Sequence, residues 1–473
     1  MAETLVSRSP ADANDEIGRY EVADRDAVAM AVTRARCAFP AWRDLGFEAR
    51  AAILRRFAAL ARENGEAIAR LISREVGKAL WDARGEAQLL AAKVDATLAD
   101  GMRHVATIEA GAGSRATFHP RGVLAVLGPF NFPAHLPNGH IVPSLATGNT
   151  VVFKPSELAP AAGAMLVTLL REAGLPDGVL EIAQGGADVG RDLALHAGID
   201  GVLFTGSWAA GRALAEAALD QPGKLLALEM GGKNAMLVCG DADLELAVAE
   251  AALSMCATTG QRCSSLSRIF VEAPLVDRFA ERLARVLTGI RIGAPLDERV
   301  FMGPLVSCAS HARLERARAM SLQAGGERVV IGNCELPPPF VAPGLARFSD
   351  TDQRHAYHRD EIFAPEAGLY PVVDLDHAIA AANDSDYALA ASVMTRDRAR
   401  YEYAIGRVQA GILNWNRGTI GASGKLPFGG GRRSGNDRPA GILSTVYCTV
   451  PQSHLEYAGA FDPASLPPGM PRP

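Results

Sequence analysis

The chain has 473 residues, 48% of them apolar, with a mean hydropathy of +0.07, more than one core absorbs, so two or three domains are expected. Its 48 Lys and Arg stand against 53 Asp and Glu, a net charge of −5 with no basic block, which removes nucleic acid from the expected partners. There is no apolar leader and no membrane-length apolar run, and seven cysteines occur without a Cys-x-x-Cys pair. A cytoplasmic protein with no membrane partner, no disulfide framework and no metal is expected.

Apolar residues recur at helical spacing from about residue 24 to 106, as in Ile53, Leu54, Phe57 and Leu60, and Pro40 is expected to split this lead-in into at least two helices. The polar segment 102–120 interrupts the order and reads as an excursion that pairs with another subunit. It holds the nearest match to a dinucleotide fingerprint, "GAGSRA", but this runs into "TFHPRG" instead of joining a strand to a helix. It is therefore not expected to touch a phosphate.

Five short apolar runs follow, at "GVLAVLGPF", "NTVVFKP", "GVLEIAQ", "GVLFTGS" and "KLLALEMGG", separated by helical stretches such as "AAGAMLVTLLREAG". That alternation predicts an α/β fold with a parallel sheet covered on both faces, a doubly wound, Rossmann-like cofactor domain. A second α/β block starts near Ala235, with a helix over about 243–259, strands at "RIFVEA" and "ERVVIG", helices over 275–289 and 310–324, and a final "AGILNWN". The Pro-rich tail "DPASLPPGMPRP" reads as a poorly packed end.

Candidate chemistry gathers at the ends of these strands. In "FTGSWAAG" a strand turns at Gly206 and Ser207 into a helix whose free amides suit a phosphate. "FKPSE" puts Lys154 and Glu157 at the end of a parallel strand, where open α/β sheets bind ligands; a solvated turn with one ion pair is the plainer reading. "LEMGG" places Glu229 after an interior-looking strand, where an unpaired acid is costly without a task. Asn131 lies in the stiff loop "GPFNFP".

Among the cysteines, Cys37, Cys239 and Cys256 sit in apolar patterns and read as small buried hydrophobes. Cys263, in "ATTGQRCSS", does not. Gly260 should end the preceding helix, polar residues surround the thiol, and Arg262 adjoins it, a setting expected to lower a thiol pKa. His355 and His358 in "HAYH" lack partners at ligand spacing, so no metal site is expected there.

The motifs "GPFNFP", "FKPSE", "FTGS", "LEMGGKN", "GQRCS", "DEIFAP" and "PFGG" occur in the order and approximate spacing of the NAD(P)-dependent aldehyde dehydrogenase superfamily, which the chain resembles over nearly its whole length. The resemblance implies that Cys263 attacks an aldehyde, that Asn131 and the Cys263 amide hold the oxyanion, and that Glu229 activates the water that hydrolyses the thioester. It implies NAD as cofactor, with Lys154 and Glu157 at the adenosine ribose, Gly206, Ser207, Trp208, Ala209, Ala210 and Gly211 at the pyrophosphate, and Glu361 with Phe363 at the nicotinamide ribose.

The same resemblance divides the chain into an NAD-binding domain (1–101 and 121–229), a catalytic domain (230–435), and a β oligomerisation element with tail (102–120 and 436–473), its C-terminal strand around 443–450. A homodimer or homotetramer is implied. The strand pair such proteins carry before "SRSPADANDEIGRY" is expected to be missing. The small-molecule aldehyde is expected to be an amino-acid-derived semialdehyde carrying carboxylates. Arg417, the backbone of Thr419, Gly421 and Ala422, and Arg262 would bind them. The competing readings are oxidation of glutamate semialdehyde, a catalytically silent protein of the same fold, and a thioesterase without redox chemistry.

Overall fold

Strands Val123–Leu127, Thr150–Lys154, Leu180–Ile182, Gly201–Thr205 and Leu225–Glu229 pair in parallel, ordered 180, 150, 123, 201, 225 across the sheet. The order reverses beside the first strand, which is the doubly wound arrangement. Val123–Leu127 and Thr150–Lys154 are buried at every position, as continuous apolar runs require when helices cover both faces. The computed structural model describes residues 3–472.

The lead-in is four helices, Arg25–Asp44, Phe47–Glu63, Gly65–Val76 and Leu80–Ala99. Pro40 does not divide them, contrary to expectation: it lies inside the first helix, on its exposed side, where water can satisfy the carbonyl that loses its amide partner. The break falls instead at Gly46, whose φ of +85° no helix accepts. Cys37 is exposed on this first helix, which corrects its reading as buried. The stretch "SRSPADANDEIGRY", for which no strand was anticipated, itself supplies most of a strand pair. Thr4–Ser9 and Asp12–Glu21 form an antiparallel hairpin of their own, separate from the cofactor sheet.

The second sheet has seven strands, ordered Glu327–Ile331, Gly344–Arg347, Glu366–Val372, Leu266–Glu272, Asn234–Val238, Ala390–Met394 and Ile412–Trp415, parallel except at the first pair. Helices Leu244–Cys256, Val276–Thr288 and Cys308–Gln323 pack around it. Only four residues separate Glu229, which ends the last strand of one sheet, from Asn234, which begins a central strand of the other. "LEMGGKN" is therefore the seam between the sheets.

Segment 102–120 contributes strands Ile108–Glu109 and Ser114–Pro120 to a three-stranded antiparallel sheet completed by Thr449–Leu455. The C-terminal strand thus starts later than expected, because residues Ser444–Tyr447 form a helical turn. "GAGSRA" is the hairpin of this sheet, with Gly111 and Gly113 at positive φ. Among the described residues no helix is long and apolar enough to cross a membrane.

Candidate active site

Cys263 lies in the loop between helix Leu244–Cys256 and strand Leu266–Glu272. The helix ends at Cys256 and not at Gly260, since Thr258 and Thr259 take φ of +53° and +55°. β-branched residues in this region cost about 1–3 kcal/mol each and persist only when neighbours over-determine them. Here Thr258 donates its hydroxyl to Asp82 at 2.6 Å and Thr259 donates to the Gly303 carbonyl at 3.0 Å. Gly260, at φ +68°, presses on "DEIFAP": a Cβ there would meet the Ala364 carbonyl carbon at 2.3 Å.

From the seam, Asn234 donates its amide to the carbonyls of Cys263 at 2.7 Å and Ser265 at 2.8 Å. Gly232 passes so close that a Cβ would fall 2.3 Å from the Cys263 carbonyl oxygen. These two residues set the backbone of the nucleophile loop, and sequence reading passed over both. Their signal was there, in the two glycines and the amide that follow Glu229.

The electrostatics of Cys263 differ from expectation. The thiol pKa is pushed up to about 12, first by burial and then by the carboxylates of Glu361 and Glu229; the Ser264 amide and Arg262 oppose this weakly. Arg262 is adjacent in sequence but turns its guanidinium away, to Asp82 at 2.7 Å and to the Thr258 hydroxyl at 2.8 Å. Neighbours in a loop project to different sides, so sequence adjacency did not deliver the positive charge.

Glu229 is buried, its Oε2 has no hydrogen-bond partner, and burial raises its pKa well above the usual carboxylate range. Asn131 is buried and donates its amide to the Gln261 carbonyl at 2.8 Å, which draws the "GPFNFP" loop to the nucleophile loop. Glu361 accepts from the Gly232 amide at 2.9 Å, and its pKa rises to about 7, with burial as the leading cause. Phe363 adopts φ +57° and meets Phe130 edge-on at 5.8 Å. Lys233, another residue not anticipated, donates at 2.7 Å to the carbonyls of Tyr357 and Asp360 and so pins the turn that carries Glu361.

The strand ends of the first sheet offer a separate group of residues. Lys154 is buried and donates to the carbonyls of Gly185 at 2.6 Å and Pro155 at 2.8 Å, with the Glu157 carboxylate at 3.5 Å. Burial lowers the Lys154 pKa, while Glu157 stays exposed. Ser207 caps helix Trp208–Ala217, accepting from the Ala210 amide at 3.3 Å; Ala209 and Gly211 belong to the first turns of that helix. The Gly206 amide donates to the Glu229 carbonyl at 3.0 Å, which joins this edge to the seam. A cation, a helix N-terminus of ten residues and an exposed carboxylate along one sheet edge fit a dinucleotide.

The loop after Ile412–Trp415 closes the other side. Thr419 is buried and donates to the Ser264 carbonyl at 2.7 Å, and Asn414 holds the carbonyls of Gly418 and Gly421 at 2.8 Å each. Arg417 and Ala422 are exposed. The structure thus brings this loop against the nucleophile loop with the Arg417 side chain facing solvent, and does not bring Arg262 to it. His358 is spent on the Tyr370 hydroxyl at 2.7 Å, and no metal-ligand cluster occurs among the described residues.

The profile of the aldehyde dehydrogenase family matches residues 1–452. The N-succinylglutamate 5-semialdehyde dehydrogenase of Burkholderia mallei is 43% identical over 457 residues, covering 95% of this chain and 93% of that protein. Among solved structures, an NAD-dependent aldehyde dehydrogenase from Sinorhizobium meliloti superimposes with a TM-score of 0.92 at 30% identity, over 97% of this chain and 93% of that one. An NADP-dependent enzyme from E. coli gives 0.90 at 32% identity, over 95% and 94%.

Proposed function

The chain belongs to the aldehyde dehydrogenase family, and we propose that it oxidises N-succinyl-L-glutamate 5-semialdehyde to N-succinyl-L-glutamate, within the arginine succinyltransferase pathway, in the cytoplasm. One observation carries the chemistry: a thiol on a strained loop, with two raised-pKa carboxylates acting on it and a buried amide held against the same loop.

Cys263 adds to the aldehyde carbon once its proton leaves. That proton passes to solvent, and Glu229, unpartnered at Oε2 and raised in pKa by burial, is kept free for the water of the second half-reaction. The oxyanion forms where the second Asn131 Nδ2 hydrogen and the Cys263 amide can donate. A bound nicotinamide cofactor would supply the hydride acceptor for oxidation at the aldehyde carbon. What remains on Cys263 is a thioester, and Glu229 removes a proton from the water that cleaves it, releasing the acid and the free thiol.

For the cofactor, Lys154 and Glu157 would hold the adenosine ribose, Gly206 to Gly211 the pyrophosphate, and Glu361 with Phe363 the nicotinamide ribose. The exposed Glu157 carboxylate would repel a 2′-phosphate, so NAD is the proposed cofactor. Arg417 and the backbone of Thr419 to Ala422 would receive the substrate carboxylates. The sheet of Ile108–Glu109, Ser114–Pro120 and Thr449–Leu455, with Ile108, Val450 and Leu455 exposed, is the proposed contact between copies in a dimer or tetramer.

The substrate assignment is tested with Arg417→Ala, comparing succinylglutamate semialdehyde with a plain aliphatic aldehyde. A fall in kcat/KM of about tenfold for the anionic substrate alone supports it. Equal values for wild type and variant contradict it.

A further inference from the structure

Asn131 and Cys263 sit on loops far apart in the chain, and both loops rest on one face of helix Leu80–Ala99. Asp82 and Glu86, one turn apart, are buried on that face, and Lys78, two residues before the helix begins, is buried beside them. Lys78 donates to Glu86 Oε2 at 2.5 Å. The other Glu86 oxygen accepts from the amides of Ala134 and His135, both at 3.0 Å, and so ties down the loop that carries Asn131. Asp82 accepts from the Thr258 hydroxyl at 2.6 Å and from the Arg262 guanidinium at 2.7 Å, and so ties down the loop that carries Cys263.

The two halves meet at Phe132. The Lys78 ammonium lies 3.5 Å and the Arg262 guanidinium 5.0 Å from the centre of its ring. Phe132 follows Asn131, and Arg262 precedes Cys263. Two cations and two carboxylates balance here, so the set is neutral as a whole. Apolar side chains of similar volume would hold three elements together at a lower desolvation cost. They would not fix the direction of two backbone amides and a guanidinium, which hydrogen bonds to charged groups do.

We propose that the buried Lys78–Asp82–Glu86 cluster is a positioning element, which sets the separation and aim of the Asn131 amide relative to the Cys263 sulfur. The inference rests on Cys263 being the nucleophile and Asn131 an oxyanion donor. Misplacement by about 1 Å at such a site costs on the order of a hundredfold in rate, so a helix outside the reacting groups can control kcat.

A double-mutant cycle on the full-length enzyme tests this, with Asp82→Asn made alone and in an Asn131→Ala background and kcat/KM measured with the aldehyde at saturating NAD. The proposal expects Asp82→Asn to cost about tenfold or more in the parent and less than about threefold once Asn131 is gone, because the spacing then has no donor to serve. A general loss of stability would cost the same factor in both backgrounds, and that result overturns the proposal. So does a value within twofold of the parent. An Asn131→Ala variant with unchanged kcat/KM would overturn the oxyanion reading and this inference with it. Should Asp82→Asn fail to fold, Phe132→Leu removes the ring between the cations without stranding a charge, and the same two factors decide.

Discussion

The amide of Asn234 donates to the carbonyl of Cys263 at 2.7 Å, so the strand that begins the second sheet holds the proposed nucleophile from behind. Glu229 ends the first sheet only a few residues earlier. Thiol and carboxylate are thus fixed by the rigid ends of two different sheets, which is what a precise site requires.

Glu229→Gln separates the two half-reactions. The first turnover should survive, with about one NADH released per site in a burst, while steady-state turnover falls on the order of 10²–10⁴-fold because water loses its base. Rapid-mixing absorbance at 340 nm measures both phases. A variant with neither burst nor turnover would assign Glu229 to acylation instead.

The thiol should titrate late. With its pKa pushed up to about 12, Cys263 in the cofactor-free enzyme is a thiol throughout the neutral range, and only the thiolate alkylates. Iodoacetamide inactivation should therefore quicken by about tenfold per pH unit from pH 7 to 9 with no plateau. A plateau below pH 8 would mean a thiolate stabilised by a charge that this conformation does not supply.

Acid should destabilise the protein through two buried imidazoles. His135 and His140 have pKa values lowered from 6.5 to about 3, by burial first and the Lys93 ammonium second. The unfolded chain protonates both near 6.5, so stability is full above that pH and is lost toward 3, by about 1.4 kcal/mol per pH unit for each. His140→Gln cannot charge. Its urea midpoint should fall less between pH 6.5 and 5 than that of the parent, even if it starts lower through loss of the Tyr447 contact. Parallel curves would exclude His140 from the effect.

Glu157→Gln should narrow the preference for NAD. Removing the exposed carboxylate beside Lys154 should raise kcat/KM with NADP relative to NAD on the order of tenfold. An unchanged ratio would move the source of cofactor choice elsewhere.

What the sequence made legible is what periodicity and turn chemistry encode. Each of the five strand runs and the turn at Gly206 and Ser207 appear where the alternation put them, because strands buried on both faces are continuous apolar runs. The contacts around Cys263 were not legible. Adjacency suggested Arg262 as its electrostatic neighbour, yet that side chain reaches Asp82, and the helix carrying Asp82 and Glu86 read only as an amphipathic lead-in. Helical period tells which residues share a face but not which distant loop the face receives. The N-terminal hairpin was missed because Thr4–Ser9 and Asp12–Glu21 are largely exposed, so no hydrophobic alternation marks them.

The most direct test of the central claim is NADH formation from N-succinylglutamate semialdehyde by the purified protein, beside Cys263→Ser at equal concentration. The account predicts sustained NADH release by the parent and a loss on the order of 10³-fold or more in the variant. No NADH from the parent with this or any other aldehyde, or equal rates for the two proteins, would contradict it.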